Sequence, residues 1–129
     1  MSASEAIIEL LREVLETTGA FQARAMFGGH GLYLDGMFFA ILDDGVLYFK
    51  TSDATAERYD REAMPAFMYQ TKTGVKALGS YRRVPERLYD ETDELEVWVR
   101  EAVGAAHAAA SKKKPRTRGA RLKMVSPKR

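Results

Sequence analysis

Hydrophobic residues recur every three or four positions near the N-terminus. Ile7, Leu11 and Val14 fall on one side of a helix, and Glu9, Glu13 and Glu16 lie on the other side. Ser2, followed three residues later by Glu5, is typical of a capping box at a helix start. The pattern predicts an amphipathic first helix with one buried face.

Short apolar runs separated by Asp-Gly pairs follow this helix. The runs cover residues 32–34, 37–42 and 46–50, and Asp35-Gly36 and Asp44-Gly45 lie between them. An Asp-Gly pair between apolar runs is a strong hairpin signal, because both residues accept the positive φ of a tight turn. The pattern predicts a three-stranded antiparallel meander with residues 37–42 as its central strand.

The second half of the chain predicts a helix, a strand pair and a final helix. Ser52 or Asp53 caps a short polar helix that closes before Pro65, and two strands with a turn at 71–74 come next. An acidic cluster at 90–94 opens the last helix, which we expect to end near Ala110. The resulting order, α-β(3)-α-β(2)-α, favours a two-layer α+β domain with an antiparallel sheet.

Charge divides the chain into two parts. Nine of its 20 lysines and arginines, and none of its 18 acids, lie after Ala110, which leaves residues 1–110 with a net charge of about −7. We therefore predict one folded domain over 1–110 and a disordered basic tail over 111–129. Such a tail favours contact with DNA or RNA, although a merely solubilising extension fits the same composition. Its basic residues are Lys112, Lys113, Lys114, Arg116, Arg118, Arg121, Lys123, Lys128 and Arg129.

The sequence gives little indication of catalysis. His30 and His107 are far apart and lack the neighbours of a metal site, and no nucleophile-elbow motif is present. We predict no enzyme activity, cofactor or metal. The absence of cysteine, of a long apolar run and of a signal-peptide pattern leads us to expect a cytoplasmic protein without membrane contact. The glycine cluster 28–31 is interpreted as a bend between strands; an anion pocket shared with Arg24 is the alternative.

A longer motif carries a family resemblance. Residues 24–36 read Arg-Ala-Met-Phe-Gly-Gly-His-Gly-Leu-Tyr-Leu-Asp-Gly, and Tyr81, Val84-Pro85 and Trp98 follow downstream. Over about residues 5–106 the chain resembles the TfoX/Sxy N-terminal domain family, as a stand-alone member in which the basic segment stands where full-length members carry a second domain. The motif residues, interpreted as mostly structural, are Arg24, Met26, Phe27, Gly28, Gly29, Gly31, Tyr33, Gly36, Tyr81, Pro85 and Trp98.

The resemblance implies a fold similar to the secretion-chaperone-like folds and a role in regulation. Full-length members of the family promote expression of competence genes for DNA uptake together with a transcription factor, the cyclic-AMP receptor protein, and no enzymatic activity is attributed to them. We therefore expect a non-catalytic regulatory or adaptor protein whose domain contacts a protein such as a transcription factor. A small-molecule or anion-binding domain and a homo-oligomeric module joined through a strand edge are the alternatives.

Overall fold

The computed structural model describes residues 2–26 and 28–113, without the side chains of Lys112 and Lys113. It has the α+β architecture expected from the sequence, with three α-helices and a six-stranded antiparallel sheet of order β1-β2-β3-β4-β6-β5. None of the described helices is long and apolar enough to span a bilayer. In chain order the elements are α1 (Ala3–Val14), β1 (Phe21–Met26), β2 (Gly29–Leu34), β3 (Met37–Asp43), β4 (Val46–Lys50), α2 (Asp53–Arg61), β5 (Ala66–Thr71), β6 (Gly74–Arg83), a 3₁₀ helix (Glu86–Asp90) and α3 (Thr92–Lys113).

The first strand group has four members rather than the expected three. Residues 21–26 form β1, which pairs with β2 from Phe21 opposite Leu34 to Met26 opposite Gly29. Gly28, at a φ of 83°, lies in the connection between the two strands, and glycine adopts this left-handed conformation at little cost. The segment expected to be a bend therefore connects the two strands of a hairpin.

Local signals account for most of the other boundaries. The Ser2 and Glu5 side chains each accept a hydrogen bond from the other's backbone N–H, at 3.1 and 3.0 Å, and close the predicted capping box. The two Asp-Gly pairs make the predicted turns, with φ of 51° and 82° at Asp35 and Gly36, and similar values in the second pair. Helix α3 continues to Lys113, so the first three residues assigned to the tail are helical. Residues 114–129 lie outside the described part of the chain.

The helices pack on one face of the sheet and enclose the core there. Alternate strand residues supply that face, and all of them are buried: Leu32, Leu34, Ala40, Leu42, Leu47 and Phe49. The apolar stripes of α1 and α3 cover them with Ile7, Ile8, Leu11, Leu95, Trp98, Val99 and Ala102. The residues between them, Tyr33, Ile41 and Tyr48, point to the opposite face, which we call the open face. Phe38 joins this face, because a register shift between Leu32 and Tyr33 places it opposite Tyr33.

Candidate functional site

A row of aromatic rings crosses the open face. The ring centroids of Tyr33 and Phe38 are 5.3 Å apart, and those of Phe38 and Tyr81 are 5.8 Å apart. A cation lies over each end of the row: the Arg24 guanidinium is 4.7 Å from the Tyr33 centroid, and the Lys50 ammonium is 5.0 Å from the Tyr81 centroid. Burial raises the pKa of Tyr81 to about 12, so its hydroxyl stays neutral at physiological pH.

Two glycines of the motif make room for this packing. A Cβ atom on Gly31 would lie 2.6 Å from the Met26 Sδ and 3.0 Å from the Phe38 ring, both on the open face. A Cβ atom on Gly29 would collide with the backbone carbonyl oxygen of Leu42 in β3. Close packing between strands thus accounts for both glycines.

The alternative of an anion pocket at residues 28–31 finds little support in this geometry. The Arg24 guanidinium lies over the Tyr33 ring and donates a hydrogen bond to the Gln22 Oε1 at 3.2 Å, within its own strand. The positions of Gly29 and Gly31 face packed atoms rather than open space.

A groove of about 690 Å³ runs between the open face and strand β5. Met26, Phe38 and Ile41 form one side, and the five residues of β5 from 67 to 71, with Leu78 of β6, form the other. Strands β1 and β5 are the two edges of the sheet, so a groove that touches both requires a strongly curled sheet. A shift in the β5–β6 register between Ala66 and Phe67 contributes to this curl.

The hairpin of β5 and β6 exposes apolar side chains beside the groove. Val75 is 61% exposed, Met68 53% and Tyr69 41%. Phe67 anchors the hairpin to the open face, since its ring lies edge-on to Tyr48 at 5.0 Å and is stacked with Tyr69 at 6.1 Å. By the strand register, Tyr69 shares the face of Phe67, whereas Met68 and Val75 lie on the other face of the hairpin. Large apolar side chains exposed on a folded protein are typical of an interaction surface.

The hairpin is also basic, on a body that is acidic overall. Residues 63–85 contain Lys72, Lys76, Arg82 and Arg83 and no aspartate or glutamate. Arg82 is tied to the domain by hydrogen bonds to the Met64 carbonyl oxygen. The two lysines, at the outer end of the hairpin, form no ion pair with any residue that the structure describes.

The motif tryptophan belongs to a different region, on the helix side. Trp98 is buried, its ring meets that of Tyr59 edge-on at 4.8 Å, and Arg58 and Arg87 lie over it at 5.0 and 6.0 Å. The Arg87 guanidinium also binds three carboxylates, of Glu62, Glu91 and Glu94, and Arg58 binds Glu101. These cations are neutralised by nearby acids, so the cluster serves to join α2, the 3₁₀ helix and α3.

The two histidines do not form a metal site in the described chain. His30 lies half-buried in β2, and its Nδ1 atom is buried without a hydrogen-bond partner; His107 lies exposed on α3. Within residues 2–26 and 28–113 no three acidic, histidine or cysteine side chains come together as metal ligands.

The structure brings part of the sequence motif together. Arg24, Met26, Gly31, Tyr33 and Tyr81 meet on the open face, whereas Gly28 and Gly36 form turns, Gly29 packs on β3, Pro85 precedes the 3₁₀ helix, and Trp98 is in the core. Phe27 lies outside the described residues, as do the basic residues after Lys113; Lys112 and Lys113 belong to the last turn of α3.

Sequence reasoning did not identify the hairpin as part of a site. The sequence predicts Phe67, Met68, Tyr69 and Leu78 only as parts of a strand pair, which is where the structure places them. The sequence signal for this site is the absence of acids over residues 63–85, a range that contains the uncharged strand 66–71.

Comparison with known proteins agrees with the motif and the fold. The family model of the TfoX N-terminal domain matches residues 13–106. Protein Sxy of Escherichia coli (strain K12) is 31% identical over 112 residues, which are 87% of this chain and 52% of that protein. The chain thus spans about half the length of this curated relative. With most of its folded body matched by the family model, the chain belongs to the TfoX N-terminal domain family.

Proposed function

We propose that this protein is a non-catalytic regulatory adaptor of the cytoplasm, whose basic C-terminal segment contacts DNA or RNA and whose folded domain binds a protein partner. Membership of the TfoX N-terminal domain family and similarity to protein Sxy support a regulatory role. A transcription factor is the class of partner that this role implies.

The division of charge is the observation that carries the proposal. Segment 111–129 has nine bases and no acids, and the rest of the chain has eleven bases and eighteen acids. A basic segment neutralises phosphates and releases their counterions, while an acidic body repels the same polyanion. Nucleic acid is thereby directed to the segment, and the domain is left free for a protein.

The test is a salt titration of nucleic-acid binding by the full chain. We would measure the anisotropy of a labelled DNA duplex and of a labelled single-stranded RNA over a range of salt concentrations. For duplex DNA, the logarithm of the binding constant should fall with the logarithm of salt concentration, with a slope of about −0.9 for each phosphate neutralised. A full chain with all nine segment bases replaced by glutamine should lose this binding.

A second variant tests whether positive charge on the folded domain contributes to nucleic-acid binding. Lys72→Gln with Lys76→Gln removes two positive charges from the hairpin and should leave the salt slope nearly unchanged. Salt-independent binding, or equal binding by the glutamine-segment variant, would contradict the proposal.

A further inference from the structure

We infer that the groove beside β5 binds an extended segment of a partner protein, apolar in its middle and acidic at one end, which adds to the sheet as a strand along the β5 edge. This inference rests on the proposed adaptor function and specifies its protein-binding site.

Strand β5 is an unprotected edge of the sheet. In the described chain β5 pairs with β6 on one side and with no strand on the other. Natural sheets protect such an edge with charges or proline, yet residues 66–71, Ala-Phe-Met-Tyr-Gln-Thr, include neither. The opposite edge, β1, carries Arg24 in its middle. Strand β5 is therefore the edge that accepts another strand.

The groove runs along the β5 edge rather than over one face of the strand. Successive side chains of a strand point to opposite faces, so a cavity over one face touches every second residue. The groove instead touches all five consecutive residues from 67 to 71. It therefore follows the edge, where unpaired backbone groups are available, and an occupant would lie alongside the β5 backbone.

The side chains around the groove indicate the chemistry of its occupant. Met26, Phe38 and Ile41 on the far side of the groove suit apolar side chains, which an added strand presents at every second position. At the outer end, Lys72 lies in the turn and Lys76 pairs with Tyr69 on the groove side of β6. With no acid in residues 63–85, these lysines favour acidic side chains at that end of the occupant. Asp43 is the one acid among the lining residues.

The same observations disfavour a nucleic-acid strand in the groove. Stacking of bases needs exposed ring faces, and the rings of Tyr33 and Tyr81 are already contacted by Arg24 and Lys50. Tyr81 is only 7% exposed, whereas the exposed side chains of the hairpin include the non-aromatic Met68 and Val75. A protein segment fits this surface better.

The experiment uses a labelled peptide with valines in the middle and glutamates at both ends, roughly six residues long to match a strand. Either strand direction then brings a glutamate to the end of the groove near Lys72 and Lys76. A second peptide with lysine in place of glutamate is the charge control. Because the basic segment would attract any acidic probe, binding is measured by anisotropy on the full chain and on the full-length glutamine-segment variant. We expect the glutamate peptide to bind both.

Charge reversal on the hairpin provides the sharpest comparison. Lys72→Glu with Lys76→Glu should weaken binding of the glutamate peptide by about tenfold and should make the lysine peptide the better ligand. Arg61→Glu with Arg100→Glu changes the net charge equally on the helix side and should bind like the native chain. Amide hydrogen exchange should show new protection in residues 66–71 when the glutamate peptide is bound.

Several results would overturn the inference. These are loss of peptide binding in the glutamine-segment variant, equal effects of the hairpin and helix-side reversals, or protection outside β5. A dimer mass by light scattering with no peptide uptake would assign the edge to a second copy. Displacement of the peptide by single-stranded nucleic acid, or by a small apolar molecule with no protection of β5, would assign the groove to that ligand. The nucleic-acid titration tests the basic segment independently of the groove. If the peptide experiment fails, the proposed contact between the segment and nucleic acid is still decided by that titration.

Discussion

At the scale of single residues, Gly29 and Gly31 differ in what the missing side chain makes room for. At Gly29 the obstacle is the Leu42 carbonyl oxygen, a backbone atom held in the sheet. At Gly31 the nearest atom is the end of the Met26 side chain, which can change rotamer. The two positions should therefore tolerate an added methyl group to different degrees.

We predict that Gly29→Ala lowers the free energy of unfolding by about 1–3 kcal/mol, because the backbone has to shift to admit the methyl group. Gly31→Ala should cost less, since Met26 can move aside. Gly79→Ala is the control: its added Cβ meets no atom within 4 Å, and the change should stay within about 0.5 kcal/mol. Urea midpoints of the three variants measure the order, and an equal cost at all three positions would contradict the packing account.

Residue identity made some of these features predictable and left others open. Asp35-Gly36 indicated its own turn, because few residue pairs accept two successive positive φ values. Gly28 did not, because a glycine with positive φ serves a bulge, a bend or a hairpin equally well. Only the pairing of β1 with β2 distinguishes these cases, and that pairing depends on the residues of both strands from Phe21 to Leu34 rather than on the glycine itself.

At the scale of elements, Arg87 joins three helices. Its guanidinium lies 2.5 Å from a Glu62 carboxylate oxygen at the end of α2, 2.6 Å from one of Glu91 and 2.9 Å from one of Glu94 in α3. Hydrogen bonds from Arg87 lower the pKa of Glu62 and of Glu94 below the ordinary value of 4.5. The ionised carboxylates thus favour the folded state.

This linkage predicts a loss of stability in acid. A carboxyl whose pKa is lower in the folded state stabilises the fold above its ordinary pKa, and that contribution disappears as the pH falls below about 4.5. Arg87→Gln removes the cause, so its melting temperature should be lower at neutral pH and should fall less steeply in acid. Arg12→Gln, which breaks an exposed pair with Glu9, is the control and should keep the native slope. Parallel native and Arg87→Gln profiles would contradict the account.

The elements themselves were largely predictable, whereas their curvature was not. Apolar patterning placed β5 and β6 and the turn between them, since these depend on neighbouring residues. The groove depends on the β5–β6 register, in which Ala66 pairs with Arg82 while Phe67 pairs with Leu78. Such a shift depends on long-range packing of Phe67 against Tyr48, which periodicity does not report.

At the scale of the whole molecule, the two proposed partners, nucleic acid and a protein segment, bind two different surfaces. The basic segment begins within the last described turn of α3, and the curled sheet presents β5 and its groove. The charge division was visible in the sequence, because it is a property of composition. The groove required the fold, because it brings β1 and β3 together with the β5–β6 hairpin, which follows them only after two further elements, β4 and α2.

The central claim is that one molecule holds nucleic acid and a protein segment at the same time. Energy transfer between a donor-labelled DNA duplex and the acceptor-labelled valine–glutamate peptide tests it directly. We expect transfer with the native chain and its loss when the nine segment bases become glutamine. In the Lys72→Glu, Lys76→Glu variant, reaching the same transfer should need about tenfold more peptide. If either probe displaces the other, the claim is contradicted. Transfer equal to that of the native chain in the glutamine-segment variant or in the Lys72→Glu, Lys76→Glu variant would also contradict it.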